Sequence, residues 1–260
     1  MAITGTANKL WAIHGPKMTL ESGLMMVGAS GIVTIPVPSF LIQHERGLVL
    51  FDTGLAPAAT QDAEAVYGEL AIHVGMDCPE EQQLENQLGN LGFRLSDVTH
   101  VIASHTHLDH TGGLYLFPHA KLYAGAGDLR YAFWPDPLDV GVYRREDLEL
   151  TRGFDWTHLS GDYDLFGDGS IVILHMPGHT PGNQSLLVRL PSQTLLLSGD
   201  TVHLRAAMDG IPMGTDYNTY DAKRSIERLA LIRDQHAATL WIGHDPEDTE
   251  IFNFAPAYYE

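Results

Sequence analysis

Apolar residues recur along the chain in short runs of strand length, and polar or glycine-containing turns separate these runs. Residues 37–44 and 48–51 flank the turn formed by residues 45–47, and this arrangement predicts a β-hairpin. Pro36 and Pro38 indicate that the first strand of this hairpin is an edge strand or begins late, because proline has no N–H to donate to a sheet.

The same alternation continues along the rest of the chain. Strands are predicted in pairs around the turns at residues 167–169 and 191–193, because each turn lies between two apolar runs. Further strands are predicted at residues 98–104, 121–124, 163–166, 170–176, 185–190, 194–198 and 239–243. Helices are predicted at residues 80–91, 128–134 and 221–236.

This order of elements predicts two packed β-sheets with helices on the outside, since that arrangement buries the apolar runs of both sheets. No internal repeat or low-complexity tract divides the chain, so we expect one domain over residues 1–260. Residues 136–158 are polar and irregular in pattern, and we interpret them as an insertion or lid rather than a domain boundary.

Composition narrows the classes of partner. The chain has 260 residues, with 15 Lys and Arg against 33 Asp and Glu, which gives a formal net charge of −18. Such an acidic chain repels nucleic acid and anionic membranes, so we expect neither as a partner.

Cys78 is the single cysteine, which excludes an intramolecular disulfide. No signal peptide or transmembrane pattern is evident, and we expect a cytoplasmic protein.

Histidine is unusually abundant, with 14 residues, and four metal-binding side chains follow one predicted strand. The sequence His105-Thr106-His107-Leu108-Asp109-His110 comes directly after residues 98–104. In an extended or turning backbone, residues two apart face the same side, so His105 and His107 can share one ion, with Asp109 continuing the alternation. His110 would point elsewhere, and this short loop could therefore supply two neighbouring metal ions.

Three more side chains of the same kind end or follow predicted strands. His179 lies in Pro177-Gly178-His179, Asp200 ends Ser198-Gly199-Asp200, and His244 follows Trp241-Ile242-Gly243. An isolated histidine after a strand is more often a surface or capping residue than a ligand. Four strand exits with ligand-type side chains in one chain make a stronger case than any one of them.

This ordered set resembles the metallo-β-lactamase superfamily, and Phe51-Asp52-Thr53-Gly54 matches its first motif. The resemblance covers residues 37–245. It implies an α/β fold, an αββα sandwich of two mixed β-sheets flanked by helices. It also implies one metal held by His105, His107 and His179, a second held by Asp109, His110 and His244, and Asp200 between the two. Asp52 would support the ligand loops.

Imidazole and carboxylate ligands suit zinc, and also cobalt, iron or manganese. Two such ions can share a hydroxide that attacks a carbonyl, so a serine or cysteine nucleophile is not needed. Cys78 lies in the acidic stretch Asp77-Cys78-Pro79-Glu80, which disfavours a thiolate, and we interpret it as structural. Eight of the remaining histidines are interpreted as structural or surface residues.

Several branches of the superfamily fit poorly. The chain has no cysteine near Asp200 for a cysteine-using β-lactamase and no basic arm for a tRNA-processing nuclease. It is too short for the flavin domain of a diiron oxygen reductase, whose Glu would also replace His107. Only 16 residues follow His244, too few for the helical domain of a glyoxalase II thioesterase.

The N-terminal part is similar to the N-acyl homoserine lactonases and the related pyridoxolactonase. In that branch, a segment matching residues of about 10–36 helps to form a hydrophobic pocket for the acyl chain. The residues that could line it here are Met18, Leu20, Leu24, Met25, Met26 and Val27, and ordinary core packing explains any one of them equally well. A tyrosine that commonly binds the substrate carbonyl in this branch is replaced by His203.

We therefore expect a lactonase that opens N-acyl homoserine lactones by attack of a metal-bridging hydroxide. His203 would donate a hydrogen bond to the oxyanion, and Asp109 would carry the proton to the leaving alkoxide. The expected substrate is a small neutral lactone or ester, and the protein is expected to be a monomer or homodimer. The alternatives are another ester or phosphotriester hydrolase on this scaffold, and a metal-binding module without catalysis.

Overall fold

A computed structural model describes residues 5–260. In chain order its strands are β1 (Lys9–Ile13), β2 (Lys17–Glu21), β3 (Ile32–Pro36), β4 (Ser39–His44), β5 (Gly47–Phe51), β6 (Gly75–Asp77), β7 (Val98–Ile102), β8 (Lys121–Gly125), β9 (Asp155–Leu159), β10 (Tyr163–Asp164), β11 (Ile171–His175), β12 (Gln184–Arg189), β13 (Thr194–Leu197) and β14 (Thr239–Trp241). Its helices are α1 (Ser22–Met25), α2 (Ala63–Tyr67), α3 (Glu69–His73), α4 (Leu84–Asn90), α5 (Leu108–Thr111), α6 (Asp128–Phe133), α7 (Arg145–Glu149), α8 (Thr219–Gln235) and α9 (Pro246–Ile251).

The first large sheet has six strands in the order β1-β4-β5-β7-β8-β9. Strands β1, β4 and β5 are antiparallel, whereas β5, β7, β8 and β9 are parallel, so the sheet is mixed. The predicted hairpin of β4 and β5 is confirmed. β4 is not an edge strand, because β1 pairs with it, and the strand begins late, at Ser39 after Pro38.

The second large sheet has five strands in the order β10-β11-β12-β13-β14. Its first four strands are antiparallel, as the two predicted turns require, and β14 joins β13 in parallel. Residues 167–169 lie in the turn between β10 and β11, and residues 191–193 lie between β12 and β13. Both predicted hairpins are therefore confirmed.

The main hydrophobic core lies between the two large sheets. It contains Phe51 and Ile102 from the first sheet and Ile173, Leu197 and Trp241 from the second, all nearly or completely buried. Burial of side chains of this size stabilises the fold by roughly 1.5–3 kcal/mol each.

Helices cover the outer face of each sheet. Helices α4, α6 and α7 pack against the six-stranded sheet, and α8 packs against the five-stranded sheet. Ala222, Ile226 and Leu229 lie on the buried face of α8, as predicted, while Ile232 rather than Ala230 continues it. The predicted αββα sandwich is confirmed.

Helix α8 begins two residues earlier than its apolar pattern indicates. The side chain of Asn218 accepts hydrogen bonds from the N–H groups of Tyr220 and Asp221, which caps the first turn. Helix α4 is shorter than the predicted helix at residues 80–91, because a short 3-10 turn at Glu80–Gln82 precedes it and Gln83 is extended.

The interpretation of residues 136–158 needs correction. Helix α7 and most of strand β9 lie within this segment, and residues 136–144 and 150–154 belong to no strand or α-helix. β9 forms the edge of its sheet, with Asp155 and His158 exposed, so its sequence does not show the apolar run of a central strand. The strand β1 was likewise not predicted as a strand.

A small third sheet, in the order β3-β2-β6, stands beside the sandwich. Met18, Leu20, Met25, Ile35 and Val37 form an apolar cluster there with Met213 from a distant part of the chain. Within residues 5–260, no helix combines the length and the apolar character needed to cross a bilayer.

Candidate metal centre

The ends of four strands bring seven ligand-type side chains to one place. His105, His107, Asp109 and His110 follow β7, His179 follows β11, Asp200 follows β13, and His244 follows β14. All except the half-buried His107 are at least nine-tenths buried. The structure thus brings together every ligand that the sequence predicted, from four separate stretches of the chain.

His105, His107 and His179 form the first group, with ligand nitrogens within 4.8 Å of one another. Nε2 of His179 lies 3.0 Å from Nδ1 of His107. His107 is the N-terminal cap of α5 and has an extended backbone, so its ring turns back towards His105 rather than following the helix. Three nitrogens that surround one point are suited to a divalent metal.

Asp109, His110 and His244 form the second group. Oδ2 of Asp109 lies 3.5 Å from Nε2 of His110 and 3.5 Å from Nε2 of His244. The two imidazole nitrogens are 3.3 Å apart. These separations match ligands that each lie about 2 Å from a shared ion.

Asp200 lies between the two groups of side chains and is close to both. Its Oδ1 is 3.5 Å from Nε2 of His110, and its Oδ2 is 3.6 Å from Nε2 of His179. Oδ2 is also 3.3 Å from Nε2 of His244, so this carboxylate lies close to nitrogens of both groups, which is the placement that a bridging ligand requires.

One buried nitrogen among these side chains lacks a hydrogen-bond partner, and this supports the fit of the donor set to metal ions. Nε2 of His105 is buried and has no hydrogen-bond partner among the described residues. A buried polar nitrogen without a partner is costly, and a metal ion satisfies its lone pair. Nitrogen and carboxylate donors, with no sulfur among them, favour zinc and also accept cobalt, iron or manganese.

Asp52 holds His110 from behind. Its Oδ2 accepts a hydrogen bond from Nδ1 of His110 at 2.8 Å, and its Oδ1 accepts one from the N–H of Ser104 at 2.6 Å. Asp52 has a φ of 62°, an uncommon backbone conformation for a residue other than glycine. This turn places the carboxylate where it contacts both the ring of His110 and the backbone of Ser104. Asp52 therefore lies where it can support the ligand loop, as the sequence predicted.

Two further rings are oriented in the same way. Nδ1 of His244 donates to the carbonyl oxygen of Pro36 at 2.8 Å, and Nδ1 of His179 donates to Oδ1 of Asp216 at 3.2 Å. In both rings the hydrogen bond leaves Nε2 free to face the centre. Asp216 was not predicted, because a single aspartate in an irregular loop has no distinguishing pattern.

Asp128 is a second residue that the sequence did not reveal. It is completely buried, and its carboxylate accepts hydrogen bonds from the N–H of Gly182 at 2.7 Å and from Oγ1 of Thr106 at 3.3 Å. It thus joins the loop of His105 and His107 to the loop of His179. Burial raises the pKa of Asp128, although these hydrogen bonds oppose the shift.

The pKa values of the histidines in the centre are shifted in opposite directions. Burial and neighbouring imidazoles lower the pKa of His105 and of His107 well below the usual range, so both rings are neutral and can bind a metal. Burial alone would lower the pKa of His110, but Asp200, Asp109 and Asp52 outweigh it and raise this pKa well above the usual value. A proton and a metal ion therefore compete for His110.

His203 lies beside the centre. Its side chain is 4% exposed, and its Nε2 is 3.0 Å from Oδ2 of Asp200. Burial lowers the pKa of His203, although Asp200 opposes the shift, so the ring is neutral. A neutral imidazole has one N–H, and here that N–H faces the carboxylate of Asp200, which only accepts hydrogen bonds.

An apolar cavity of about 160 Å³ opens onto these ligands. Its lining consists of Met18, Leu20, Leu24, Met25, Ile35, Leu70, Val74, Met76, His107, Leu108, Asp109, Leu138, Asp139, Val142, His179, Asp200, His203, Met213, Thr215 and His244. Four of the six N-terminal residues expected there are present. Met26 instead packs against the core under α8, and Val27 is 52% exposed and outside the lining.

The other histidines and the cysteine stay apart from the centre. Among residues 5–260, no histidine besides the five expected ligands and His203 belongs to a group that could hold a metal. His14 and His44 stack on phenylalanine rings instead. Burial, with Asp77 beside it, raises the pKa of Cys78 to about 11, so this thiol is not a nucleophile at neutral pH.

Comparison with known proteins gives a consistent result. Residues 33–244 match the model of the metallo-beta-lactamase superfamily. The N-acyl homoserine lactonase AttM of Rhizobium radiobacter is 38% identical over 232 residues, which cover 86% of this chain and 88% of that protein. An N-acyl homoserine lactonase of Bacillus cereus is 25% identical over 261 residues, covering 97% of this chain and 99% of its own length.

Solved structures show the same fold. An N-acyl homoserine lactone hydrolase with N-hexanoyl-L-homoserine at its catalytic metal center is 24% identical, with a TM-score of 0.87 over 98% of this chain and 100% of that chain. The dizinc quorum-quenching lactonase AidC is 15% identical, with a TM-score of 0.71 over 97% and 92% of the two chains.

Proposed function

Since the chain belongs to the metallo-β-lactamase superfamily, in the branch of the N-acyl homoserine lactonases, we propose that it is a metal-dependent hydrolase that opens the lactone ring of N-acyl homoserine lactones. Hydrolysis of such signals is quorum quenching. The observation that carries the proposal is the apolar cavity that opens directly onto two adjoining groups of metal-type ligands. A lactone head with an acyl chain has this same division into a reactive and an apolar part.

The seven ligands would hold two divalent metal ions. His105, His107 and His179 would hold the first, with Asp200 placed between it and the second. Asp109, His110 and His244 would hold the second. Zinc is the metal that this donor set favours, and cobalt, iron and manganese are the alternatives. When bound, such ions supply a water of lowered pKa and polarise a carbonyl group.

Two side chains of the centre have proposed roles in the reaction itself. His203 lines the cavity, and its N–H, which Oδ2 of Asp200 accepts in this structure, would donate instead to the lactone carbonyl oxygen when Asp200 binds metal and negative charge develops on the substrate. Asp109 also faces the cavity, and its carboxylate would accept the proton that the attacking water gives up and pass it to the ring oxygen when the C–O bond breaks.

The apolar wall would bind and orient the acyl chain. Leu70 and Val74 come from α3 and its end, while Leu138 and Val142 come from the segment of residues 134–143, which we propose acts as a lid. Leu138 is 97% exposed, so an acyl chain beneath it would gain apolar contact and would shield the centre from water.

The compartment we propose is the cytoplasm, and the protein would act as a monomer or a homodimer.

The test uses metal-loaded protein and a panel of N-acyl homoserine lactones of graded chain length. We expect acid release with every lactone that fits the cavity, no release from metal-stripped protein, and close to two metal ions per chain by elemental analysis. A simple ester and a phosphotriester form separate arms of the panel. Full metal loading without acid release from any lactone would contradict the proposal, and preferred turnover of either other substrate would identify that class instead.

A further inference from the structure

We propose that Asp216 is a positioning residue for the first metal ion, because it fixes the proton of His179 on Nδ1 and so keeps the lone pair of Nε2 directed at the ion. The inference rests on the metal centre of the proposed function and extends it to a residue outside the ligand set. It concerns metal affinity, which is measured without a substrate.

The hydrogen bonds of Asp216 leave its carboxylate no freedom to turn. Oδ1 accepts from Nδ1 of His179 at 3.2 Å, and Oδ2 accepts from the N–H of Met213 at 2.9 Å. The side chain is 3% exposed, so water does not compete for either oxygen. A carboxylate accepts hydrogen bonds only, and the imidazole must therefore carry its proton on the nitrogen that faces Asp216.

The backbone around His179 is held by the same part of the chain. The carbonyl oxygens of three consecutive residues each accept a hydrogen bond from α8 or from the residues just before it: Ser225 Oγ to Pro177 at 2.7 Å, Asn218 N–H to Gly178 at 2.9 Å, and Tyr217 N–H to His179 at 3.2 Å. The ring and the backbone of this ligand are thus fixed by one neighbouring segment.

Close packing prevents this loop from shifting. Gly178 has a φ of +142°, and a Cβ at this position would lie 2.1 Å from the backbone nitrogen of Ala222 in α8. The glycine therefore allows the loop to lie directly on the start of the helix. With the backbone fixed in this way, the remaining variable of His179 is the choice of protonated nitrogen, and Asp216 determines it.

The second ligand group provides an internal comparison. Asp52 accepts from Nδ1 of His110 and from a backbone N–H, which is the same pair of hydrogen bonds that Asp216 makes with His179 and Met213. One carboxylate stands behind each group. Loss of either carboxylate should therefore weaken one metal and leave the other, and the two variants should differ in which ion is lost.

The experiment replaces Asp216 by Asn, which keeps the shape and an acceptor for Met213 but presents an NH₂ group to His179. Cobalt or zinc binding is measured by competition with a chromophoric chelator, and the His179 tautomer is read by long-range ¹H–¹⁵N NMR. We expect Asp216→Asn to weaken one of the two binding steps about 10- to 100-fold, as loss of a ligand's hydrogen-bond partner does. The other step should stay within about threefold.

Two variants serve as comparisons. Asp209→Asn removes the same charge from an exposed position in the same loop region and should leave both binding steps unchanged. Asp52→Asn should weaken the step that Asp216→Asn leaves intact. Equal weakening of both steps by Asp216→Asn, or no weakening of either, would overturn the proposal.

A measurement on the unaltered protein covers the case in which Asp216→Asn does not fold. In the metal-free protein, where no ion holds Nε2, the NMR spectrum should show His179 with its proton on Nδ1, and a proton on Nε2 would overturn the inference. Failure of the proposed lactonase activity is separate from both results. Protein that binds two metals but turns over no lactone refutes the activity, while the chelator and NMR results still decide the role of Asp216.

Discussion

Four of the five histidines proposed as ligands present Nε2 to the centre, and only His107 presents Nδ1. The difference follows from what lies behind each ring. Nδ1 of His110, His179 and His244 is engaged by a carboxylate or a carbonyl oxygen, and Nδ1 of His105 lies 3.0 Å from Oγ of Ser104. At the residue scale, the geometry of the centre thus depends on groups that touch no metal.

The central position of Asp200 gives the first prediction at this scale. Asp200→Asn keeps the size of the side chain but removes the negative charge between the two groups of imidazoles. We expect at least one metal ion per chain to be lost and turnover to fall by more than about 100-fold. This is a larger effect than the loss of a residue that only hydrogen-bonds to a metal ligand. Elemental analysis and lactone hydrolysis measure the two effects, and an active variant with two metals would show that Asp200 does not bridge them.

A second residue prediction separates a substrate contact from a ligand. His203→Phe preserves an aromatic ring beside His179 and at the cavity wall but removes the ring N–H. We expect kcat/KM to fall about 10²- to 10³-fold, as when one oxyanion donor is removed, while metal content changes little. Unchanged hydrolysis would leave His203 as a residue of the loop only, and loss of metal in proportion to activity would make it a ligand.

Ordered motifs made the ligands predictable, but not the residues behind them. His105, His107, Asp109 and His110 are close in sequence, so their spacing alone indicated a metal site. Asp216 is 37 residues from the ring that it supports, and Asp128 joins two loops 54 and 22 residues away from it. Such partners become visible only when the fold brings them together.

At the scale of elements, the lid segment is fastened at its C-terminal end by Arg144. Its side chain donates to the carbonyl oxygen of Val66 in α2 at 3.2 Å and forms an ion pair with the buried Asp147 of α7. Tyr143, immediately before it, packs edge-on against the His107 ring at 4.7 Å. Arg144 therefore connects α2 and α7 to the end of the lid, where Tyr143 contacts the ring of His107.

This connection predicts a pH dependence of stability. Burial raises the pKa of Asp147 to about 7, and Arg144 opposes the shift only in part. The folded protein then binds this proton more tightly than the unfolded chain. The stabilisation from Asp147 is complete below pH 4, declines as the pH rises, and is lost above pH 7. Asp147→Asn should remove this component.

Denaturant unfolding of metal-loaded wild-type and Asp147→Asn proteins between pH 5 and 8 provides the measurement. We expect the difference in the free energy of unfolding, wild type minus variant, to fall by about 2 kcal/mol over this range. Any pH dependence of metal binding is common to both proteins and cancels in the difference. Asp155→Asn, at an exposed strand position, is the matched control, and a flat difference for Asp147→Asn would refute the shifted pKa.

The elements themselves were predictable where local pattern and burial agree. The hairpins have apolar strands around marked turns, and α8 has one buried face, so all were predicted. The edge strand β9 and the short helix α7 were missed. β9 has partners on one side only and mixes polar with apolar residues, and α7 has five residues, too few for a helical period to show.

At the scale of the whole molecule, an acidic surface encloses a site in which metal ions would supply positive charge. The formal net charge is −18, whereas the centre combines two aspartates with rings that bind metal only when neutral. A neutral substrate is not repelled by the surface, and the anion formed from it is stabilised at the centre. The apolar cavity beside these charges selects for a substrate that carries an acyl group.

Metal removal tests how far this centre supports the sandwich as a whole. Its ligands come from loops after β7 of one sheet and after β11, β13 and β14 of the other, so bound ions would connect both sheets. Ions that bind only the folded chain stabilise it by about 2.7 kcal/mol for each site at a hundredfold excess over Kd. For a chain of this size, two such sites raise Tm by roughly 10–20 °C. We therefore expect dialysis against a chelator to lower Tm by that amount and readdition of zinc to restore it. An equal Tm with and without metal would show that the two sheets hold the site rigid without help from the ions.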